Sequence, residues 1–76
     1  MKRFEVLGSG CANCRKTAEL IGQVAAERGV DIDLKKVEDT AAIVAAGVMA
    51  TPAVIADGEI VHAGGVPSLR QVEGWF

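Results

Sequence analysis

Four short segments of the chain show the side-chain pattern of β-strands: Lys2–Leu7, 30–35, Ala53–Ala56 and 59–62. In the first segment Phe4 and Val6 fall on one face, since successive strand residues point to opposite sides. The second alternates apolar and charged residues without a break, as a half-exposed strand at a sheet edge does. Asp57-Gly58 joins the last two segments and is a strong signal for a two-residue hairpin. The pattern therefore predicts four strands, of which the last two form an antiparallel hairpin.

Three other segments are predicted to be helices: Ala12–Arg28, 41–46 and 67–73. The first repeats apolar residues at helical spacing, and the two short ones are predicted from the residues that can start or stop a helix at their ends. The long first helix contains Gly22, which costs about 1 kcal/mol relative to Ala. We expect that this glycine marks a close packing contact. Gly29 is a natural stop for the same helix.

Two starting points are open for each of the shorter helices. Asp39 or Thr40 can cap the second helix. Pro67 suits the first turn of the third helix. Alternatively, Ser68 and Gln71 form a capping box that starts this helix one residue later.

The predicted order of elements is β-α-β-α-β-β-α. A helix of this length between the first two strands suits a right-handed parallel crossover. The hairpin then adds antiparallel strands to the same sheet. We therefore predict an α/β fold with a mixed four-stranded sheet flanked by three helices.

Composition limits the size of the fold and the classes of partner. A chain of 76 residues is too short to divide its apolar side chains between two cores, which predicts a single domain over residues 1–76. Half of the residues are hydrophobic, which is enough for a packed core. The net charge of −2 gives no electrostatic reason to bind nucleic acid or an anionic membrane. The longest apolar stretch, 41–50, is far shorter than the roughly 20 residues of a membrane span. We expect a monomeric cytoplasmic protein with neither kind of partner.

Cys11 and Cys14 are the only cysteines, and they enclose Ala12-Asn13 where a strand gives way to the long helix. Residues i and i+3 lie on nearly the same helix face, so the two sulfurs can bond. Unpaired backbone N–H groups and the helix dipole at this end stabilise a thiolate. A cytoplasmic pair three residues apart is a poor structural staple and is instead catalytic or metal-binding. As a redox pair, Cys11 would attack a substrate disulfide and Cys14 would resolve the product.

The chain resembles the thioredoxin/glutaredoxin superfamily, and more narrowly its very small prokaryotic thioredoxin-like proteins. The motifs that carry this resemblance occur in the family's order: the strand followed by Gly8-Ser9-Gly10-Cys11-Ala12-Asn13-Cys14, residues 47–54 (Gly-Val-Met-Ala-Thr-Pro-Ala-Val), Asp57-Gly58-Glu59 and Gly64-Gly65. The two residues between the cysteines differ from the Gly-Pro of thioredoxins and the Pro-Tyr of glutaredoxins. Because they help to set the thiol pKa and the reduction potential, neither quantity follows from the resemblance.

The resemblance implies a thioredoxin-like fold and a disulfide oxidoreductase. It also implies that the Thr51–Pro52 peptide bond is cis and lies beside the two cysteines, with the backbone of Thr51 pairing to a substrate peptide. The substrate-binding residues would be Gly10, Ala12, Asn13, Ala50, Thr51, Pro52, Gly64 and Gly65. The partners would be disulfide-containing proteins and an unidentified reductase. The Cys11–Cys14 disulfide would replace any separate cofactor, with no metal.

A metal carrier that binds copper or zinc through the same thiolates is the alternative hypothesis. Heavy-metal-associated domains are of similar length and often contain Cys-Ala-x-Cys. They normally have Met two residues before the first cysteine, where this chain has Ser9. Their element order ends in a strand, whereas the order predicted here ends in a helix.

Four further positions have two interpretations each. Glu5 is an outward-facing strand residue, which is the preferred interpretation, or the counterpart of a buried acid in thioredoxins. His62, the only histidine, is a surface residue or an acid–base group or ligand, and the first is preferred. Met49 lines the substrate groove or belongs to the core. Trp75-Phe76 either pack the end of the chain or contact a partner.

Overall fold

The structure is a computed structural model that describes residues 1–8 and 12–76. Its elements are β1 (Lys2–Leu7), α1 (Ala12–Arg28), β2 (Ile32–Val37), α2 (Thr40–Ala45), β3 (Ala53–Ala56), β4 (Glu59–Ala63) and α3 (Leu69–Glu73). Their order confirms the predicted α/β fold. The predictions for Gly10 and Cys11 lie outside the described residues.

The four strands form one mixed sheet in the order β2-β1-β3-β4. β1 is parallel to β2 and antiparallel to β3, and β3 and β4 form the predicted hairpin. Asp57 and Gly58 at its turn have φ of 48° and 87°. The edge position predicted for β2 is confirmed.

β2 begins two residues later than predicted because Val30 belongs to the end of α1. Gly29 has φ of 63°, and the N–H of Val30 donates to the carbonyl of Ala25 at 2.9 Å. The N–H of Gly29 also donates to Ala26. These two bonds form a Schellman motif, which satisfies carbonyls at the helix end. The ladder with β1 therefore starts at Ile32, opposite Lys2.

The main core lies between one sheet face and the helices α1 and α3. Its buried members come from both layers: Phe4, Val6, Ala18, Ile21, Val24, Val54, Ala56 and Val72. The prediction that Gly22 marks a close packing contact is wrong, because a Cβ built there meets no atom within 4 Å. Phe76 closes one side of this core, with its ring centroid 5.1 Å from that of Phe4. Of the two interpretations of Trp75-Phe76, the structure supports packing against the core.

The two short helices have defined caps. Asp39 caps α2, accepting a hydrogen bond from the N–H of Ala41 at 3.2 Å. Ser68 and Gln71 form the capping box of α3, so Pro67 precedes that helix and is not part of its first turn. No residue of α2 is buried, although Ala42 borders a cavity of about 420 Å³ against the second face of the sheet.

Candidate active site

Cys14 lies in the first turn of α1, on the side that packs against the sheet. Only 6% of its surface is exposed, whereas Ala12 and Asn13 before it are exposed. The hydroxyl of the fully buried Thr17 donates to the carbonyl of Asn13 at 2.8 Å, which fastens this turn. The start of α1 therefore presents Cys14 inward and its two preceding residues outward.

Gly8 follows β1 and lies directly against Cys14. A Cβ built on Gly8 would overlap the Sγ of Cys14, and it would lie 3.8 Å from the Cβ of Thr51. Its N–H donates to the carbonyl of Val37 at 2.9 Å, which ties this position to the end of β2. The glycine thus allows strand end, helix start and the Thr51 loop to meet. The sequence named Gly8 only as part of the motif that leads to Cys11, and the close contact with Cys14 becomes visible only in the folded chain.

The Thr51–Pro52 peptide bond is cis, the isomer that the resemblance implied. Pro52 is buried directly before β3, and Thr51 is exposed. The carbonyl of Pro52 accepts a hydrogen bond from the N–H of Gly64 at 3.0 Å. This bond connects the loop before β3 with the segment after β4.

The consecutive glycines Gly64 and Gly65 both have positive φ, 84° and 75°. A Cβ built on Gly64 would lie 3.3 Å from that of Ala50. The structure therefore brings four of the predicted substrate-binding residues into one neighbourhood: Ala50, Thr51, Pro52 and Gly64. Met49 beside them is 99% exposed, so it is not part of the core.

A cavity of about 120 Å³ lies beside Cys14. Its lining consists of Val6, Gly8, Cys14, Arg15, Lys36 and Glu38. Lys36 and Glu38 were missed from the sequence, since they reach this place only through the parallel pairing of β1 and β2. The register of β1 and β2, in which Lys36 lies opposite Val6, is the observation that places them there.

Glu5 does not line the cavity beside Cys14. It is half-buried and borders the larger cavity on the second sheet face, together with Leu7 and Ile55. The structure therefore gives no support to Glu5 as the counterpart of a buried acid, and the side chain is less exposed than an outward-facing residue.

His62 has more contacts than a surface histidine. Its side chain is half-buried, and its Nε2 lies 2.9 Å from the carbonyl oxygen of Gly65. Its ring centroid is 6.0 Å from that of Trp75. The preferred interpretation of His62 as a surface residue therefore missed its partial burial and its contacts. These contacts form only in the folded chain and have no signal in the local sequence.

The described residues lack two features that mark other classes of protein. Within residues 1–8 and 12–76, three or more His, Cys, Asp or Glu side chains nowhere form a group that could hold a metal ion. In the same part of the chain, no helix combines the length and apolar character needed to cross a membrane.

Comparison with known families decides the classification. Residues 2–76 match the family model for the thioredoxin domain. The chain belongs to the thioredoxin family. It is 30% identical over 73 residues to a thioredoxin of Methanothermobacter thermautotrophicus. The matched residues cover 96% of this chain and 95% of that protein. It is 35% identical over 70 residues to a thioredoxin of Methanocaldococcus jannaschii, covering 92% and 80% respectively.

Membership of the thioredoxin family confirms the resemblance that the motifs indicated. The chain is a thioredoxin-like disulfide oxidoreductase, and the substrates of this class are disulfide-containing proteins. The metal-carrier alternative finds no support among these relatives.

Proposed function

We propose that this thioredoxin-family protein reduces disulfides in other proteins through the dithiol of Cys11-Ala12-Asn13-Cys14. The observation that carries the proposal is the position of Cys14. It is buried in the first turn of α1, against Gly8 and close to the loop of Thr51 and the cis Pro52. A thiol in this place can react with a neighbouring sulfur while it stays screened from other oxidants.

In the first step, the Cys11 thiolate attacks one sulfur of a substrate disulfide. The substrate S–S bond breaks, a mixed disulfide forms, and one substrate sulfur leaves as a thiolate that takes up a proton. In the second step, the thiol of Cys14 loses its proton and attacks the Cys11 sulfur. The second substrate thiol departs, so the substrate gains two electrons and the enzyme is left with a Cys11–Cys14 disulfide.

The start of α1 favours a thiolate on the outer cysteine. The first turn contains no acidic residue, and the basic side chains of Arg15 and Lys16 follow immediately. Unpaired N–H groups at a helix start and the positive end of its dipole both lower a thiol pKa. The attacking role of Cys11 rests on this electrostatic environment.

The substrate segment lies across the start of α1 and the Thr51 loop in this proposal. The exposed Thr51 offers backbone groups for pairing with an extended peptide, as in β-augmentation. The predicted binding set keeps Gly10, Ala12, Asn13, Ala50, Thr51, Pro52, Gly64 and Gly65. A separate reductase returns the disulfide to the dithiol, no other cofactor takes part, and the protein works as a cytoplasmic monomer.

Serine substitutions test the division of labour between the two thiols. Cys14→Ser is expected to trap covalent complexes with a disulfide-bonded peptide through Cys11, because the second step is blocked. Cys11→Ser is the matched control and is expected to abolish both turnover and trapping. Intact-mass spectrometry and peptide mapping identify the sulfur in each adduct.

Trapping through Cys14 in the Cys11→Ser variant would reverse the assigned roles. The wild-type protein is also titrated in a graded thiol–disulfide buffer, with bound metal assayed in parallel. A reversible two-electron couple without metal agrees with the proposal. Stoichiometric metal together with no reduction of insulin disulfides would exclude it.

A further inference from the structure

His62 donates a hydrogen bond to the backbone three residues ahead of it. A carbonyl oxygen can only accept, so the 2.9 Å contact with Gly65 requires a proton on Nε2 of the imidazole. Both the neutral Nε2–H tautomer and the imidazolium meet this requirement. His62 can therefore hold the Gly65 carbonyl in either charge state.

Two further features hold the His62 ring in place: an irregularity of β4 and a contact with Trp75. On β4, His62 lies opposite Val54, whereas Ile60 lies opposite Ile55, so the strand contains an irregularity between these pairs. Such bulges redirect side chains. The ring then meets Trp75 at an interplanar angle of 48°, and Trp75 itself packs against the main core. Strand and core together aim Nε2 at Gly65.

The segment that His62 holds is part of the predicted substrate groove. Gly64 donates its N–H to Pro52 and approaches Ala50 closely. Two consecutive glycines have more backbone freedom than any other pair of residues. Without a side-chain anchor, the positive-φ geometry of Gly64 and Gly65 would compete with many other conformations.

We propose that His62 is a positioning residue for substrate binding, holding Gly64–Gly65 in the conformation that places Gly64 against Ala50 and Pro52. This inference rests on the proposed disulfide reduction. His62 acts through Gly65 and touches no reacting sulfur. It therefore affects how well a substrate segment binds and not the exchange of sulfur bonds.

Two substitutions separate the hydrogen bond from simple packing. His62→Leu removes the donor, and His62→Gln keeps an N–H donor on a side chain of similar reach. With dithiothreitol as electron donor and a disulfide-bonded peptide as substrate, His62→Leu is expected to raise KM roughly three- to tenfold, the effect of one hydrogen bond. Its kcat is expected to stay within about twofold. His62→Gln is expected to restore most of the wild-type KM.

Amide hydrogen exchange of Gly64 gives a direct structural readout. This N–H donates to Pro52, so its exchange is expected to accelerate in His62→Leu and to return toward the wild-type rate in His62→Gln. Ile60→Leu, an exposed apolar substitution on the same strand, is the control and is expected to leave KM and Gly64 exchange unchanged.

An unchanged KM and unchanged Gly64 exchange in His62→Leu would overturn the inference. A lower kcat and a lower unfolding midpoint with the wild-type KM would also overturn it, since they indicate a purely structural role. Failure of the wild-type protein to reduce the peptide would overturn the proposed function, and the role of His62 in substrate binding with it. Wild-type activity combined with a normal KM in His62→Leu would overturn only the inference about His62.

Discussion

Gly8 shows how a missing side chain can shape a redox site. Cys14 occupies the space where a Cβ on Gly8 would be, and Thr51 lies just beyond it. Gly8 has no positive φ, so the requirement for glycine here comes from space and not from backbone conformation. The close approach of β1 and α1 at Cys14 therefore depends on this residue.

Gly8→Ala is expected to destabilise the protein by about 1–3 kcal/mol, because the added methyl group overpacks a buried contact. It is also expected to slow the resolution of the mixed disulfide, since Cys14 must move from its place. Urea unfolding and the decay of a trapped peptide adduct measure the two effects.

Gly22→Ala is the matched control for this substitution. It lies in α1, where an added Cβ meets nothing within 4 Å. It is expected to raise the free energy of unfolding by up to about 1 kcal/mol, through helix propensity alone. Equal urea midpoints for Gly8→Ala and the wild type would show that the space beside Cys14 is not restricted.

At the scale of elements, the β3–β4 turn is tied to the start of β1 by Asp57. Its carboxylate accepts a hydrogen bond from the N–H of Arg3 at 2.9 Å, and its own N–H donates to the Arg3 carbonyl at 2.8 Å. The Nζ of Lys2 lies 3.6 Å from the other carboxylate oxygen. The Arg3 hydrogen bond, and after it the charge of Lys2, lower the pKa of Asp57.

A pKa that is lower in the folded state than in the unfolded state stabilises the protein above the unfolded value, here about 3.9. The contribution is lost as the pH falls through the lower folded value. The stability advantage of the wild type over Asp57→Asn is therefore expected to be constant above about pH 5 and to shrink as the pH falls below about 4. Urea midpoints measured from about pH 6 to pH 2.5 test this.

Asn at this position tolerates the positive φ of the turn, so the comparison isolates the ionised carboxylate. Asp33→Asn, on the exposed edge strand β2, controls for the change in net charge. Parallel wild-type and Asp57→Asn curves over the whole pH range would contradict the assigned role of Asp57.

The elements were predictable where local patterns determine them. The bounds of β1, α1 and β3 follow from alternation, helical spacing and the Asp57-Gly58 turn, and they agree with the structure. The start of β2 was not predicted correctly, because the N–H of Val30 donates to the carbonyl of Ala25 at the end of α1. Local sequence does not reveal which of two competing hydrogen bonds a residue makes.

The candidate site also contains residues that the sequence predicted and residues that only the fold reveals. Cys14 and Pro52 stood out by residue type and motif, and the fold places their surroundings together. Lys36 was missed because its place beside Cys14 depends on strand register, and the contacts of His62 with Gly65 and Trp75 were not foreseen because they form only in the folded chain. The substrate-binding role of the motif residues stays a prediction.

At the scale of the whole molecule, the two faces of the sheet are covered unequally. α1 and α3 bury the main core on one face, whereas α2 contributes no buried residue to the other. Phe76 strengthens the better-packed side, since its ring lies beside that of Phe4 at an interplanar angle of 31°. Most of the packing free energy therefore lies on the side of α1.

Phe76→Ala is expected to lower the free energy of unfolding by about 1–3 kcal/mol, less than for a fully buried Phe because the side chain is only partly buried. Val44→Ala, in α2, is the control. Val44 is 68% exposed, and its change is expected to stay within about 0.5 kcal/mol. Urea unfolding of both variants measures the difference, and equal losses would contradict the unequal packing.

The contact between Trp75 and His62 has an optical consequence. Trp75 is the single tryptophan of the chain, so all indole emission comes from one ring whose centroid lies 6.0 Å from the imidazole. Indole fluorescence responds to the groups that touch the ring. The protein thus carries a native light-emitting reporter one side chain away from Gly65, and binding events at that segment can be followed in solution without an attached dye.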